Sequence, residues 1–297
     1  MKYEDIQTFL AVVDTGSILK ASEMLYISQS SASTRIKQLE TELQTTLFER
    51  HKGHRKISLT LQGEEFLPIA QQWLALFQDA LNLKNIPNYR MLKIAATDLI
   101  NNHTFLGFYK YFMINHQDIT LNIKTHHSSE IHRLVDNQQC DIGFSSNVYN
   151  YPNLQTMPLY EEELVLLYHQ NHPFHESKNK KDLDTKDEIF QQFSPDYLHW
   201  HQHYFNSSTY LISVGTVSMQ LSLMEEKYWA IVPESAANDF IKEHPDYCIY
   251  HFSNKSLKRT VYLLTYKYPR PGVKLATKIF LEEIRSFIEE NKSLHLI

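Results

Sequence analysis

Three apolar-periodic segments packed into the first 43 residues constrain this chain more than any other feature. Ile6, Phe9, Leu10 and Val13 recur at the i, i+3, i+4, i+7 spacing of an amphipathic helix, which Asp14-Thr15-Gly16 ends. Ser17 is a helix N-cap, followed on one face by Ala21, Met24 and Leu25. Tyr26-Ile27 reads as a tight turn, and Ser28 caps a third helix whose Ala32, Ile36 and Leu39 face inward. Two short helices joined by such a turn form a helix-turn-helix. Ala21 is small where the two helices cross closely, and Ile27 is an apolar plug for the turn.

The outward face of the third helix carries Gln29, Ser30, Ser33, Thr34 and Lys37, with Arg35 beside them. Short hydroxyls and an amide let a helix sit deep in the major groove, where Gln pairs with adenine and Ser with several bases. After the apolar pair Leu47-Phe48, residues 50–56 (Arg-His-Lys-Gly-His-Arg-Lys) form a basic loop, and Ile57-Ser58-Leu59 alternates like a strand. A basic hairpin directly after a recognition helix is the pattern of a winged helix-turn-helix, its wing lying along phosphates or in the minor groove.

Charge supports this division. The whole chain carries a net charge of −5, which by itself argues against nucleic-acid binding. Residues 28–60, however, hold six basic residues against three acidic ones, while residues 61–297 hold 21 against 27. The acidic average conceals a basic module. Only seven glycines are present, no two closer than ten positions, which excludes G-x-G-x-x-G, the P-loop and the G-x-S-x-G elbow. Cys140 and Cys248 form no C-x-x-C, and two reduced thiols are expected. Neither a signal peptide nor a transmembrane run is recognisable, so a cytoplasmic chain without membrane contact is expected.

From residue 61 the texture changes. Phe66, Ile69, Ala70, Trp73, Leu74, Phe77, Ala80 and Leu81 form a long helical apolar stripe, interrupted by Pro68, where a kink or a lost backbone hydrogen bond is expected. A lone helix outside a globular core cannot leave such a face wet. Phe66, Ile69, Ala70, Trp73, Phe77 and Leu81 are therefore the candidate dimerisation residues. Residues 85–88 (Asn-Ile-Pro-Asn) read as a hinge.

Beyond the hinge, buried-strand runs alternate with helical ones: strands at 91–96, 119–125 and 140–145, and helices near 103–115 and 129–137. This βαβαβ order implies a parallel sheet with right-handed crossovers. Residues 161–168 cross towards a second lobe with candidate strands at 189–193, 210–214, 228–232 and 248–252, while 259–267 returns and a helix at 273–290 closes the first lobe. Ligands in open α/β sheets sit beyond the carboxyl ends of strands. That rule selects Thr97, Asp98, Leu99, Ile100, Ser128, Ser129, Ser145 and Ser146 from the first lobe, and Ser194, Pro195, Gly215 and Thr216 from the second. Hydroxyls at these places suit a small polar ligand. No Arg falls on these loops, so a strongly anionic ligand is not demanded; His126 and His127 could supply charge. His199 and His203 would share a helix face as a metal pair, but no third ligand can be named, and no metal or other cofactor is assigned.

The segments Phe9–Val13, Gly16-Ser17, Lys20–Ser30 and Ser33–Glu40, followed by Leu43, residues 47–50 (Leu-Phe-Glu-Arg), Leu59-Thr60 and Gly63, resemble the N-terminal domain of LysR-type transcriptional regulators over about 60 ungapped residues. The later texture is similar in pattern to that family's effector domain. The resemblance implies DNA contacts from Gln29, Ser30, Ser33, Thr34 and Arg35, and backbone or minor-groove contacts from Arg50, Arg55 and Lys56. It also implies that Ser17 caps the second helix near a phosphate. This chain has Ser30 where the family usually has Pro, and Thr34 where it commonly has Arg. Gln44 and Thr46 stand where Gly and Pro are usual, and Glu226 and Tyr228 where a glycine pair is expected. Gln44 then occupies a helix C-terminal position that favours glycine.

The expected class is thus α/β with an α-rich N-terminal module. The winged helix-turn-helix occupies residues 1–60, the linker and dimerisation helix 61–86, and a two-lobed, periplasmic-binding-protein-like effector domain 87–297. Its lobe I comprises 87–160 and 265–297, and its lobe II 166–262. The expected function is non-enzymatic transcription regulation. The partners are double-stranded promoter DNA, a small-molecule effector and a second copy of the chain in a dimer or tetramer, with RNA polymerase as a further candidate. The alternatives are a cytoplasmic solute-binding protein, or a metal-dependent protein, of the same two-lobed fold.

Overall fold

The computed structural model describes residues 1–49, 57–81, 90–252 and 257–297. The N-terminal module begins with α1 (Tyr3–Thr15), α2 (Ile18–Met24) and α3 (Gln29–Leu43). Each boundary has a local cause. Gly16, at φ 63°, ends α1 in the left-handed conformation and donates its N–H to the Val12 carbonyl. The Ser17 hydroxyl accepts from the Lys20 N–H at the start of α2, and Ser28 accepts from the Ser31 N–H at the start of α3. Gln44 closes α3 at φ 53°, ψ 32°, the left-handed geometry expected of a glycine site.

Strands β1 (Phe48–Glu49) and β2 (Ser58–Leu59) pair antiparallel as the base of a wing. The Glu40 carboxylate ties α3 to β1 by accepting from the Leu47 and Phe48 N–H groups. Helix α4 (Leu61–Leu81) follows, its first turn capped by the Thr60 hydroxyl. It continues through Pro68 as a single helix. Gly63 is obligatory there, because a Cβ would collide with the Leu47 carbonyl oxygen. Ile6, Phe9, Val12, Ala21, Ile36, Leu39 and Leu47 form one core with Phe66 and Ala70 of α4. Burial of each large apolar side chain stabilises by about 1.5–3 kcal/mol.

The second unit opens with β3 (Arg90–Ala96), which pairs parallel with β4 (Ile119–Thr125) and β5 (Ile142–Ser145). A single π turn at Ile100–Thr104 precedes α5 (Leu106–Asn115), so the first helix starts later than its periodicity suggests. Helix α6 (Ser128–Asp136) joins β4 to β5; it lies so close to β5 that a Cβ at Gly143 would strike Ile131 and Val135.

The 16-residue strand β6 (Leu154–His169) then leads to α7 (Phe174–Ser177), β7 (Ile189–Phe190), α8 (Pro195–Phe205), β8 (Ile212–Ser213), α9 (Val217–Ser222) and β9 (Trp229–Pro233). Next come α10 (Glu234–Glu243), β10 (Tyr247–Tyr250), β11 (Lys258–Tyr266), α11 (Lys274–Glu290) and β12 (His295–Leu296). The strand order is β10-β6-β11-β5-β3-β4, with β9 and β12 also on β6. One half of β6 pairs with β11 and β12, the other with β9 and β10. This shared strand is what makes two lobes from one sheet. The first lobe packs on a core that includes Phe105, Phe108, Phe112, Phe144 and Phe280, and the second on cores containing Val165, Val232, Trp229 and Phe174.

The pairing of β7 with β8 covers two residues on each strand, shorter than the five-residue runs suggested by sequence. Glu226 and Tyr228 adopt no left-handed backbone, so the missing glycines impose no strain there. Both cysteines are free; burial pushes the Cys140 thiol up to about 11, so it stays protonated. Among the described residues, no helix is long and apolar enough to cross a membrane.

Candidate functional site

Helix α3 presents Gln29, Ser30, Thr34 and Lys37 to solvent, with Ser33 and Arg35 half-buried on the flanks of that face. The face exists because Ala32, Ile36 and Leu39 occupy the opposite side, held against α1. Thr34 donates its hydroxyl to the Ser30 carbonyl, so this side chain is preoriented along the helix. Arg35 leans across α1, where its Nη1 lies 3.4 Å from the Thr8 hydroxyl. Ser17 serves as a helix cap. Arg50, Arg55 and Lys56 lie outside the described residues. Tyr26, which sequence reasoning treated only as a turn residue, is almost wholly exposed at φ 54° beside the start of this face.

The stripe on α4 divides into two faces. Phe66 and Ala70 are buried in the core of the same chain, and Trp73 and Phe77 stack on each other and against Tyr3. Phe66 and Ala70 therefore leave the list of residues free to face a second subunit, while Trp73 and Phe77 are half-buried and keep part of their surface open. Ile69 (56% exposed) and Leu81 (57%) remain outward, joined by Leu76 (51%). The physical reason is width: an apolar arc broad enough to cover two sides of a helix reads as one stripe in sequence.

A cleft of about 490 Å³ opens between the lobes. It brings together Thr97, Asp98 and Leu99 beyond β3, Ser128 and Ser129 at the start of α6, Ser146 beyond β5, and Gly215 and Thr216 before α9. Four candidates lie elsewhere. Ile100 is fully buried in the lobe I core. Ser145 is buried, with its hydroxyl donating to the Asn147 carbonyl. Ser194 is the N-cap of α8, and Pro195 begins that helix. In each case a strand-end position was claimed by packing or capping.

The cleft also contains residues that strand-end reasoning missed: Tyr149, Gln191, Gln192, Phe193 and, above all, Arg259. Arg259 belongs to β11, in direct register with Glu162 on β6. Its Nε lies 3.2 Å from Glu162 Oε1. The expectation that no arginine would reach the site is therefore corrected. A loop-by-loop reading could not see that a returning strand forms the floor of the cleft.

Hydrogen bonds hold the lobes in register. Asp98 accepts from the Ser218 N–H (3.2 Å) and hydroxyl (2.8 Å), and from the Asn102 amide. His103 Nε2 lies 3.1 Å from the same Ser218 oxygen, and burial holds its imidazole below the ordinary histidine pKa. A neutral ring donating from Nε2 satisfies this chain. His132 is also depressed by burial; Nδ1 donates to the Ser128 carbonyl, and Nε2 accepts from the Tyr149 N–H. It thereby pins the loop after β5 to α6.

His199 and His203 are exposed on α8, while His201 between them is buried, its Nε2 2.8 Å from both oxygens of Glu188. Among the described residues, one trio with metal-ligand spacing occurs: Glu163, Glu234 and His251, which includes none of these histidines.

Residues 3–64 match the bacterial regulatory helix-turn-helix proteins of the lysR family, and residues 88–285 match the LysR substrate binding domain. The HTH-type transcriptional regulator CzcR of Bacillus thuringiensis subsp. konkukian is 33% identical over 181 residues, covering 59% of this chain and 60% of that protein. CysL of Bacillus subtilis is 28% identical over 193 residues, 64% of either chain. These alignments thus span about three fifths of the curated relatives' length. Among solved structures, a full-length OxyR point variant from Pseudomonas aeruginosa superposes with a TM-score of 0.68 at 20% identity, covering 96% of this chain and 95% of that one. Full-length CbnR in complex with its target DNA gives 0.68 at 21% identity, covering 96% and 99%.

Proposed function

The chain belongs to the LysR family of bacterial regulatory helix-turn-helix proteins, and from this premise we propose that it is a transcription regulator that binds promoter DNA and answers to a small effector held between its lobes. The observation that carries the reading is the polar face of α3, standing clear of a three-helix core inside the family-matched segment.

In this proposal Gln29, Ser30, Ser33, Thr34 and Lys37 enter the major groove, and Arg35 and Ser17 approach phosphates. Arg50, Arg55 and Lys56 act from the wing. Two copies joined along the exposed side of α4 place their recognition helices about 34 Å apart, in successive major grooves. A tetramer, promoter bending and contact with RNA polymerase extend the same proposal, and its setting is the cytoplasm. No catalytic step is required.

The effector reading is supported by hydroxyls and helix ends that converge on one cleft from both lobes. Helix α6 offers a route to the DNA module. Its start lines the cleft, while Asp136 and Asn137 at its end bond Gln72 and Gln71 of α4. An effector shifts the arrangement only by its differential affinity for the two states.

The DNA-binding test is Arg35→Ala, measured by electrophoretic shift on the gene's own upstream region at two salt concentrations. Affinity should fall and the salt slope should shrink by about one contact. Unchanged values would refute the docking. For the cleft, Thr97→Val and Ser128→Ala should abolish any melting-temperature rise caused by a metabolite.

A further inference from the structure

Arg259 stands against the cleft with hydrogen-bonding capacity unspent, and we infer from it the chemical class of the effector: a small molecule bearing a carboxylate. The inference rests on the cleft being the effector site.

The Arg259 side chain is 9% exposed, and Glu162 opposite it is fully buried. Directly paired residues on neighbouring strands share a face. The two form an ion pair through Nε, yet neither Nε nor Nη2 meets a hydrogen-bond partner among the described residues. A buried guanidinium with unmade bonds is costly.

The surrounding carboxylates are already engaged by donors at helix starts. Asp98 is held by Ser218, near the start of α9. Glu130 accepts from the His127 N–H and faces His126 Nδ1 at 3.3 Å. Glu162 accepts through Oε2 from the N–H and hydroxyl of Ser235 at the start of α10, and faces Arg259 through Oε1. Asp98 and Glu130 are thus engaged, whereas Glu162 Oε1 meets no hydrogen bond and faces Arg259 Nε, which leaves Nη2 as the guanidinium donor with no counterpart among the described residues.

A second source of donors is the first turn of the nine-residue helix α6, where Ser128 and Ser129 line the same cavity. Helix starts carry partial positive charge and favour anions. A carboxylate is acceptor-only, planar and charged, so it meets a guanidinium edge with two charge-assisted bonds, where a neutral hydroxyl or amide oxygen makes a single weaker one.

The test uses the full-length protein, with a panel of three- to seven-carbon mono- and dicarboxylates and the primary amide of each. Thermal shift identifies binders and titration calorimetry ranks them. At least one acid should bind while its amide does not. Arg259→Gln should weaken that acid about 10- to 100-fold, the range of a charged hydrogen bond, and Arg259→Lys should retain part of the affinity. Because Arg259→Gln strips Glu162 of its cation, the Glu162→Gln/Arg259→Gln double variant provides a charge-neutral check and should show the same loss.

Gly215→Trp tests the cleft itself, since open space surrounds a Cβ at Gly215. Binding lost in Gly215→Trp but kept in Arg259→Gln overturns the anion assignment alone. Acid binding kept in both overturns the cleft reading beneath it. Equal binding of acid and amide, or no acid binding at all, also overturns the proposal.

Discussion

Replacing Gln44 by glycine should stabilise the N-terminal module. Gln44 sits at φ 53°, ψ 32°, and its side chain is exposed. It therefore bears the left-handed backbone cost without compensating packing. That cost is about 1–2 kcal/mol for a residue with a Cβ, against which glycine loses about 0.5–1 kcal/mol through its greater freedom in the unfolded chain. The net gain is on the order of 1 kcal/mol. The closing hydrogen bonds, from the Gln44 N–H to the Thr41 carbonyl and from the Thr45 N–H to the Glu40 carbonyl, use backbone atoms alone and survive the change. Native-state hydrogen exchange of the α1–α3 amides is the assay, because it isolates this module from the effector domain. Exchange through module unfolding should slow about fivefold, the factor equivalent to 1 kcal/mol. Gln44→Ala, which keeps the Cβ, should produce no such slowing. Equal protection in the glycine and alanine variants, or faster exchange with glycine, would refute the strain argument.

Ile69→Glu together with Leu76→Glu should dissociate the proposed dimer while leaving each chain folded, since both side chains are exposed within one chain; sedimentation velocity of the unaltered chain and the variant reads the outcome, and a dimer intact in both would remove α4 as the interface. The neutral His132 ring contributes stability that is complete above the ordinary histidine value of 6.5 and is lost as pH falls below it. His132→Gln does not titrate, so the stability gap between wild type and variant should narrow as pH falls from about 7.5 to about 5.5, as followed by denaturant melts. A gap independent of pH would show that the Tyr149 contact does not depend on the neutral ring.

The fold was legible in the sequence wherever a local pattern has one solution. Ser17 and Ser28 began helices, Gly16 ended one, and the β–α alternation over residues 91–145 implied parallel strands, as observed for β3, β4 and β5. Patterns with two solutions were not legible. Trp73 and Ile69 belong to one apolar stripe in the sequence, yet one ring stacks on its own chain and the other side chain faces outward. Ser194 looked like a cleft hydroxyl and is a helix cap, because both roles favour a hydroxyl beside a helix start.

The sequence by itself determined a helix-turn-helix followed by a basic loop, ahead of an acidic two-lobed domain, since caps, helical period and charge segregation act over a few residues. The strand-end rule also found Thr97, Asp98, Ser128 and Thr216 at the cleft, but tertiary structure alone decided that Arg259 faces it. Arg259 reaches it because β11 returns beside β6 from far along the chain, in a register set by the whole sheet. No local pattern in residues 258–266 carries that information: a strand specifies its own alternation, whereas its neighbour is chosen by the packing of both lobes.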